Sequence, residues 1–243
     1  MAVVTDWRRL GEELTRALHL ATAPIGITFS AHRPEGVASF DAPMSEPAED
    51  GRTGRVAAGC VFWTRASEAT FSTVAADHGN CSVGRMTHGL ATLSEVASND
   101  DIAALLDSGW VTPEVVGQIS VITERPGAIT YGPLTETPDN VDPDVVLLRV
   151  NGRQLMVLFD AIPGLRIEGK PQCHIVALAK QEKVAAASVG CALSRARTGM
   201  TPNEMTCAIP AGNLADVVAT VSAAAETDAV VARYAAQDAR RFA

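Results

Sequence analysis

No run of about 18 apolar residues occurs anywhere in this chain, so no segment has the length to cross a bilayer as a helix. The N-terminus carries no basic stretch followed by an apolar core and opens instead on a charged, amphipathic segment, from which a cytoplasmic protein is expected. Positive charge is scarce. Twenty Lys and Arg against 28 Asp and Glu leave a net charge of −8 and a pI near 5.1, a field that repels phosphate backbones and argues against nucleic acid as a partner. Aromatics are 5% of the residues, so Ala and Val supply much of the apolar mass, yet 47% apolar residues over 243 positions suffice for a substantial core. No G-x-G-x-x-G, P-loop, G-x-S-x-G or H-E-x-x-H is present, which leaves nucleotide binding, serine hydrolysis and zincin chemistry without support. No close cysteine pair and no C-x-x-C-H occurs either, so the local signatures of structural zinc and attached haem are missing.

What is present is an internal echo. Asn80-Cys81-Ser82-Val83-Gly84-Arg85-Met86-Thr87-His88-Gly89 and Gly190-Cys191-Ala192-Leu193-Ser194-Arg195-Ala196-Arg197-Thr198-Gly199 both place Arg four residues and Gly eight residues after the cysteine. Upstream, Cys60-Val61-Phe62-Trp63 corresponds to Cys173-His174-Ile175-Val176, at an offset of 113 residues against 110 for the second pair. A period of this kind predicts a duplicated unit, with residues 1–117 and 118–243 as two pseudo-equivalent lobes that could also form one compact domain. In a reducing compartment five cysteines are ligands, nucleophiles or core residues before they are disulfides. Cys207, in an apolar strand, reads as core.

Helices and strands alternate along the chain, so the fold class is α/β or α+β. Thr5 or Asp6 caps a first helix with Trp7, Leu10, Leu14 and Leu18 on one face, and Pro24 to Phe29 is a strand. Residues 30–55 read as a surface loop. Cys60 opens a short helix, 70–74 is a strand, Asp77 to Asn80 is a turn, and Cys81 begins a helix running toward Leu93. A cysteine at a helix start faces unpaired N–H groups, which favours thiolate. Capped helices follow at Asn99 and Thr112, strands at 119–123, 128–131 and 145–150, and a helix at 154–162. Cys173 to Lys180, 183–188 and 205–209 read as helix, strand and strand, and a long last helix starts near Asn213 with a break expected near Thr227.

The Pro24-Ile25-Gly26-Ile27-Thr28-Phe29 strand, the four cysteines Cys60, Cys81, Cys173 and Cys191, the Gly190-Cys191-x-x-Ser194-Arg195 motif and the Asn203-Glu204-Met205 to Ile209-Pro210 segment resemble an uncharacterised bacterial and archaeal family, domain of unknown function one hundred and sixty-nine. The resemblance covers nearly the whole chain; Leu193 stands where the family often has Gly, and Cys207 lies outside the pattern. It implies membership and carries no activity with it.

The chemistry is therefore argued from the cysteines. Spacings of 21, 92 and 18 residues demand assembly by the tertiary fold, and two symmetric units can offer four sulfurs to one [4Fe–4S] cluster. That predicts an iron–sulfur protein doing redox or Lewis-acid chemistry on a small molecule, as an oxidoreductase or lyase, with a small-molecule substrate or redox partner and a homo-oligomer left open. Arg85, Arg195, His78 and His88 are the candidate catalytic groups: the arginines as donors to cluster sulfides or to an anionic substrate, the histidines as acid–base groups or a further ligand. Zinc, haem held by a thiolate or by His78, His88 or His174, and no cofactor at all are the competing readings. On them the protein is a non-catalytic small-molecule or metal-binding protein, a haem protein, or an enzyme with Cys81 or Cys191 as nucleophile. Each candidate also has a bland reading: an arginine that caps a helix, a turn histidine, a solvated Glu204, a buried apolar cysteine.

Overall fold

The structure is a computed structural model that describes residues 5–41, 59–79, 81–138, 141–198 and 200–241. α1 (Trp7–Leu18) begins where the Asp6 carboxylate accepts the Arg9 N–H at 2.9 Å, and Leu10, Leu14 and Leu18 form its buried stripe. β1 (Ile25–Ser30) follows, and 31–41 contain neither helix nor a strand of the sheet. The remainder of the expected loop, 42–55, lies outside the described residues. Next come α2 (Gly59–Ala66), β2 (Phe71–Thr73), a 3-10 turn at Ala75–His78, α3 (Ser82–Thr87), α4 (Leu93–Val96), α5 (Asp100–Asp107) and α6 (Pro113–Gly117). The chain continues through β3 (Ala128–Pro133), β4 (Val145–Val150), α7 (Gly152–Ala161), β5 (Arg166–Glu168) and α8 (His174–Ala177), which runs into a π-helical turn at Leu178–Glu182. β6 (Ala186–Ser188), α9 (Ala192–Thr198), β7 (Met205–Pro210) and α10 (Leu214–Ala239) complete it. No helix among the described residues is long and apolar enough to cross a membrane.

The class is mixed α/β. The described strands form a seven-stranded sheet in the order β2-β3-β1-β4-β7-β6-β5, antiparallel except for the edge pair β5·β6. Alternation along the central strands divides the core into two layers. Val146, Leu148 and Val150 of β4 and Cys207 and Ile209 of β7 face α1, α7 and α10. Val145, Leu147 and Ala208 face the opposite way, toward Phe62, Trp63 and Ala66 of α2 and Ile175 and Val176 of α8.

Register adds a regularity. Ile25 of β1 opposes Pro133 of β3, and Val145 of β4 opposes Pro210 of β7. Two residues before each proline, Tyr131 opposes Phe71 of β2, and Ala208 opposes Ala186 of β6. The set β2-β3-β1 is thus repeated by β6-β7-β4 in reversed spatial order, and the two sets meet at the antiparallel pairs Ile25↔Leu147, Gly26↔Val146 and Ile27↔Val145.

Three local expectations need correction. Residues 119–123 are not a strand: Ile119 and Val121 pack on Met86, Ala91 and Val96, while the Ile122 N–H is bonded to Thr87 O at 3.0 Å. α3 stops at Thr87 rather than running toward Leu93, because Gly89 turns back at φ +72 with its Cα so near the Ile122 and Glu124 carbonyls that a Cβ would sit 2.7 and 2.8 Å from them. α10 is unbroken at Thr227, whose hydroxyl donates to Ala223 O at 3.1 Å and is absorbed by the helix.

One glycine closes the β1·β3 pair. A Cβ on Gly127 would lie 1.9 Å from Ala31 O, a backbone atom that cannot step aside. Gly127→Ala is expected to cost about 3 kcal/mol, which for a chain of this size lowers Tm by about 6–12 °C in a thermal melt. A melt within about 2 °C of the parent would contradict that close approach.

Candidate functional site

Each of the four patterned cysteines sits at the start of a helix. Cys60 is the second residue of α2, Cys81 and Cys173 are the N-cap residues of α3 and α8, and Cys191 immediately precedes α9. The helices pack crosswise, α2 on α9 and α3 on α8, so each contact joins one mirrored strand set to the other. The four cysteines accordingly line one recess, together with Val83, Trp110, Pro171, Gln172, Leu193 and Ser194. All four are partly buried. Cys207 is fully buried on the other side of the sheet, where burial pushes its thiol up to about 12. Alternation in β7, with Ala208 on the site face, is what excludes it.

The sulfurs act on one another. Burial, and then the neighbouring Cys81 sulfur, raise the Cys173 thiol well above the ordinary cysteine range, with Cys191 and Cys60 adding to the shift and a hydrogen bond with Thr87 opposing it. A thiol so placed favours its protonated form, and nearby positive charge would oppose that. Cys81 Sγ accepts the Gly84 N–H at 3.3 Å as the cap of α3. Gln172 reaches into the same wall, its amide nitrogen 3.4 Å from Ser194 Oγ, while its Oε1 is buried without a partner. Trp110 at the rim has Lys170 Nζ 4.5 Å from its ring centroid. Among the described residues no three His, Cys, Asp or Glu side chains converge closely enough to hold a single metal ion.

The two equivalent arginines differ. Arg195 donates to the carbonyls of Thr201, Val189 (3.1 Å) and Glu204 (2.8 Å), clasping the chain between β6 and β7. Its guanidinium lies over Gly190, where a Cβ would meet Nη2 at 2.8 Å and where φ is +112, so the Gly190-Cys191 pair needs its glycine for two reasons. Arg85 has no such use: its Nε is buried without a hydrogen-bond partner. Glu204, expected as a solvated charge, is instead paired with Arg149 Nε at 2.5 Å, both side chains largely buried.

His78 and His88 are fully buried and outside the recess lining. Thr73 Oγ1 donates to Ile129 O at 3.2 Å and so accepts from His78 Nε2 at 2.9 Å, which leaves His78 Nδ1 bare. His88 Nδ1 must donate to Gly84 O at 2.8 Å, which leaves its Nε2 bare. Neither bare nitrogen has a partner, and the ring centroids are 6.2 Å apart. Burial, aided by His88 and Arg85, holds His78 well below the usual imidazole range; burial brings His88 down to about 4 despite the Gly84 bond. His174 is likewise buried, paired with Glu168 at 3.3 Å and absent from the lining. No histidine therefore faces the recess where an axial haem ligand would stand.

Two residues of the site had escaped notice in the sequence. Tyr131 is fully buried against Phe62 and Phe71, its hydroxyl unpartnered, and Cys173 and Cys60 are the ionisable groups whose charge acts on it after burial itself. Its alternation with Ile129 in β3 was the available signal. Trp110, beyond the end of α5, carried none.

No curated protein and no solved structure matches this chain. A family model does match, over residues 13–220, a span running from α1 into α10 and holding all four site cysteines. The chain belongs to the DUF169 family, uncharacterised ArCR.

Proposed function

We propose that Cys60, Cys81, Cys173 and Cys191 ligate an iron–sulfur cluster, a [4Fe–4S] cluster, and that the protein uses it in redox or Lewis-acid chemistry on a small molecule. One observation carries this reading: four cysteines distant in sequence line one recess, two from each mirrored strand set, while the fifth is on the other side of the sheet. The repeated register of β2-β3-β1 in β6-β7-β4 supports a duplicated unit. Zinc fits less well, because structural zinc sites use close cysteine pairs and none is present. A cluster supplies the positive charge that lets the buried Cys173 thiol ionise. A reducing compartment such as the cytoplasm keeps such thiols available.

The chain's own residues would hold and screen the group. Val83, Leu193, Pro171 and Trp110 exclude water around it, Cys81 is oriented by the Gly84 N–H, and Trp110 marks the rim that a small substrate or redox partner must pass. His78, His88 and Arg85 lie outside the recess lining and do not meet the substrate. Protein purified without oxygen, or reconstituted with ferrous iron and sulfide, is expected to show a broad band near 400 nm with about four irons and four sulfides per chain. A colourless protein with freely titrating thiols after reconstitution rules the cluster out and leaves a thiol enzyme or a plain binding protein.

A further inference from the structure

We infer that the segment from Asp100 to Gly117 is a hinged lid over the cysteine recess, latched shut where Trp110 meets Lys170. The inference concerns access and holds whatever the recess takes. The segment is thinly attached. Across α5, the connection through Trp110 and α6, only Ile102, Leu105 and Val111 are buried, and α6 itself buries no residue. Its inner side nevertheless rests on the site. Ile102, Leu105 and Val111 form one apolar cluster with Val83, against which Cys81, Cys173 and Leu193 pack. Trp110 is itself part of the recess lining.

The two ends of the lid are held differently. At the start of α5 the Asp101 carboxylate accepts the Ser82 N–H at 2.9 Å and the Ser82 hydroxyl at 2.7 Å, and Asn99 Nδ2 donates to the same hydroxyl oxygen at 2.7 Å. That end is therefore tied to α3, one residue from Cys81. The other end reaches across the mouth: Lys170 Nζ stands 4.5 Å from the Trp110 ring centroid, and Lys170 directly precedes the lining residues Pro171 and Gln172. Lys170 is exposed, and an exposed ammonium over an indole shifts an opening equilibrium only about two- to fivefold. Segments with few buried apolar contacts open locally while the rest of the fold stays closed. Here the Asp101–Ser82 tie supplies the pivot and the Trp110–Lys170 contact the release, so a small molecule reaches the cysteines beneath Trp110 with the sheet undisturbed.

The test is the rate at which iodoacetamide alkylates Cys60, Cys81, Cys173 and Cys191 in metal-free protein, read by peptide mass spectrometry, with the fully buried Cys207 as internal control. Lys170→Gln removes the exposed cation and is expected to speed alkylation of the recess thiols about threefold. Trp110→Ala removes both latch and plug and is expected to speed it about tenfold, with Cys207 unreacted in either variant. A Lys170→Gln protein that reacts at the parent rate overturns the latch. Recess thiols that react in the folded parent as fast as in urea would mean that nothing covers them, and Cys207 alkylated in step with them would mean that the whole fold opens. Either result overturns the inference. Because the protein is metal-free throughout, the outcome is independent of whether the recess takes up a cluster.

Discussion

Replacing Cys173 by alanine is expected to take the iron content of anaerobically prepared protein from about four atoms per chain to below about one, with loss of the 400 nm band. Cys173 is the most informative of the proposed ligands to remove, because its sulfur interacts with those of Cys81, Cys191 and Cys60. The alanine removes a buried thiol that, without metal, is protonated and behaves as a small apolar group, so the apo fold is expected to survive with a loss of about 1 kcal/mol. Cys207→Ala is the matched control: the same chemistry is deleted from the opposite layer of the core, stability falls by a similar amount, and iron stays at the parent level. Full iron retention in Cys173→Ala, or iron loss in Cys207→Ala, would each remove the basis for the assignment. Rapid alkylation of one thiol in the metal-free parent, at Cys81 or Cys191, would point instead to a nucleophile.

Acid is expected to destabilise the fold well above the range in which carboxylates titrate. His78 and His88 are neutral and buried, whereas in the unfolded chain both protonate as pH falls through about 6.5. Between about pH 6.5 and 4 the unfolded state therefore binds more protons, and stability drops as pH falls. For His88, whose folded value is about 4, the loss over that window is on the order of 3 kcal/mol, and His78 acts in the same direction. Glu95, drawn down to about 2 first by the Thr92 N–H and then by Arg125, contributes with the same sign only once pH is below its unfolded value, so pH 5 isolates the histidines. Urea midpoints followed by circular dichroism should fall steeply from pH 7.5 to 5. In His88→Asn, where the amide N–H replaces Nδ1–H toward Gly84 O, the slope should be shallower. Equal midpoints at the two pH values would mean that the imidazoles are protonated or solvated in the native state.

Much of the architecture could be read from the residues because local signals agreed. Asp6 and Thr112 cap helices as their side-chain chemistry requires, and β1 and β4 are apolar enough to need no context. The four cysteines were readable through their repeat and the family pattern, since nothing in spacings of 21, 92 and 18 residues resembles a ligand motif. What could not be read was decided elsewhere in the fold. Ile119, Val121 and Ile122 have strand composition but find their partners on α3 and the Met86, Ala91 and Val96 cluster. β5 is three residues long, Arg166-Ile167-Glu168, charged and at an edge, so it exists only by pairing with β6. Asp77-His78-Gly79 has turn chemistry, and nothing local says that His78 is pressed against Phe62 at 4.6 Å between centroids.

The central pairs Ile25↔Leu147, Gly26↔Val146 and Ile27↔Val145 have a further meaning. Under the strand equivalence that register defines, this ladder maps onto itself with Gly26 and Val146 exchanging places, so it is the ladder two identical half-chains would make if each offered the same open edge. Two identical half-chains paired along that edge would bring four sulfurs to the dyad from only two thiols each. This chain departs from such equality where one side carries Tyr131, His78 and His88 and the other uses its arginine as a clasp.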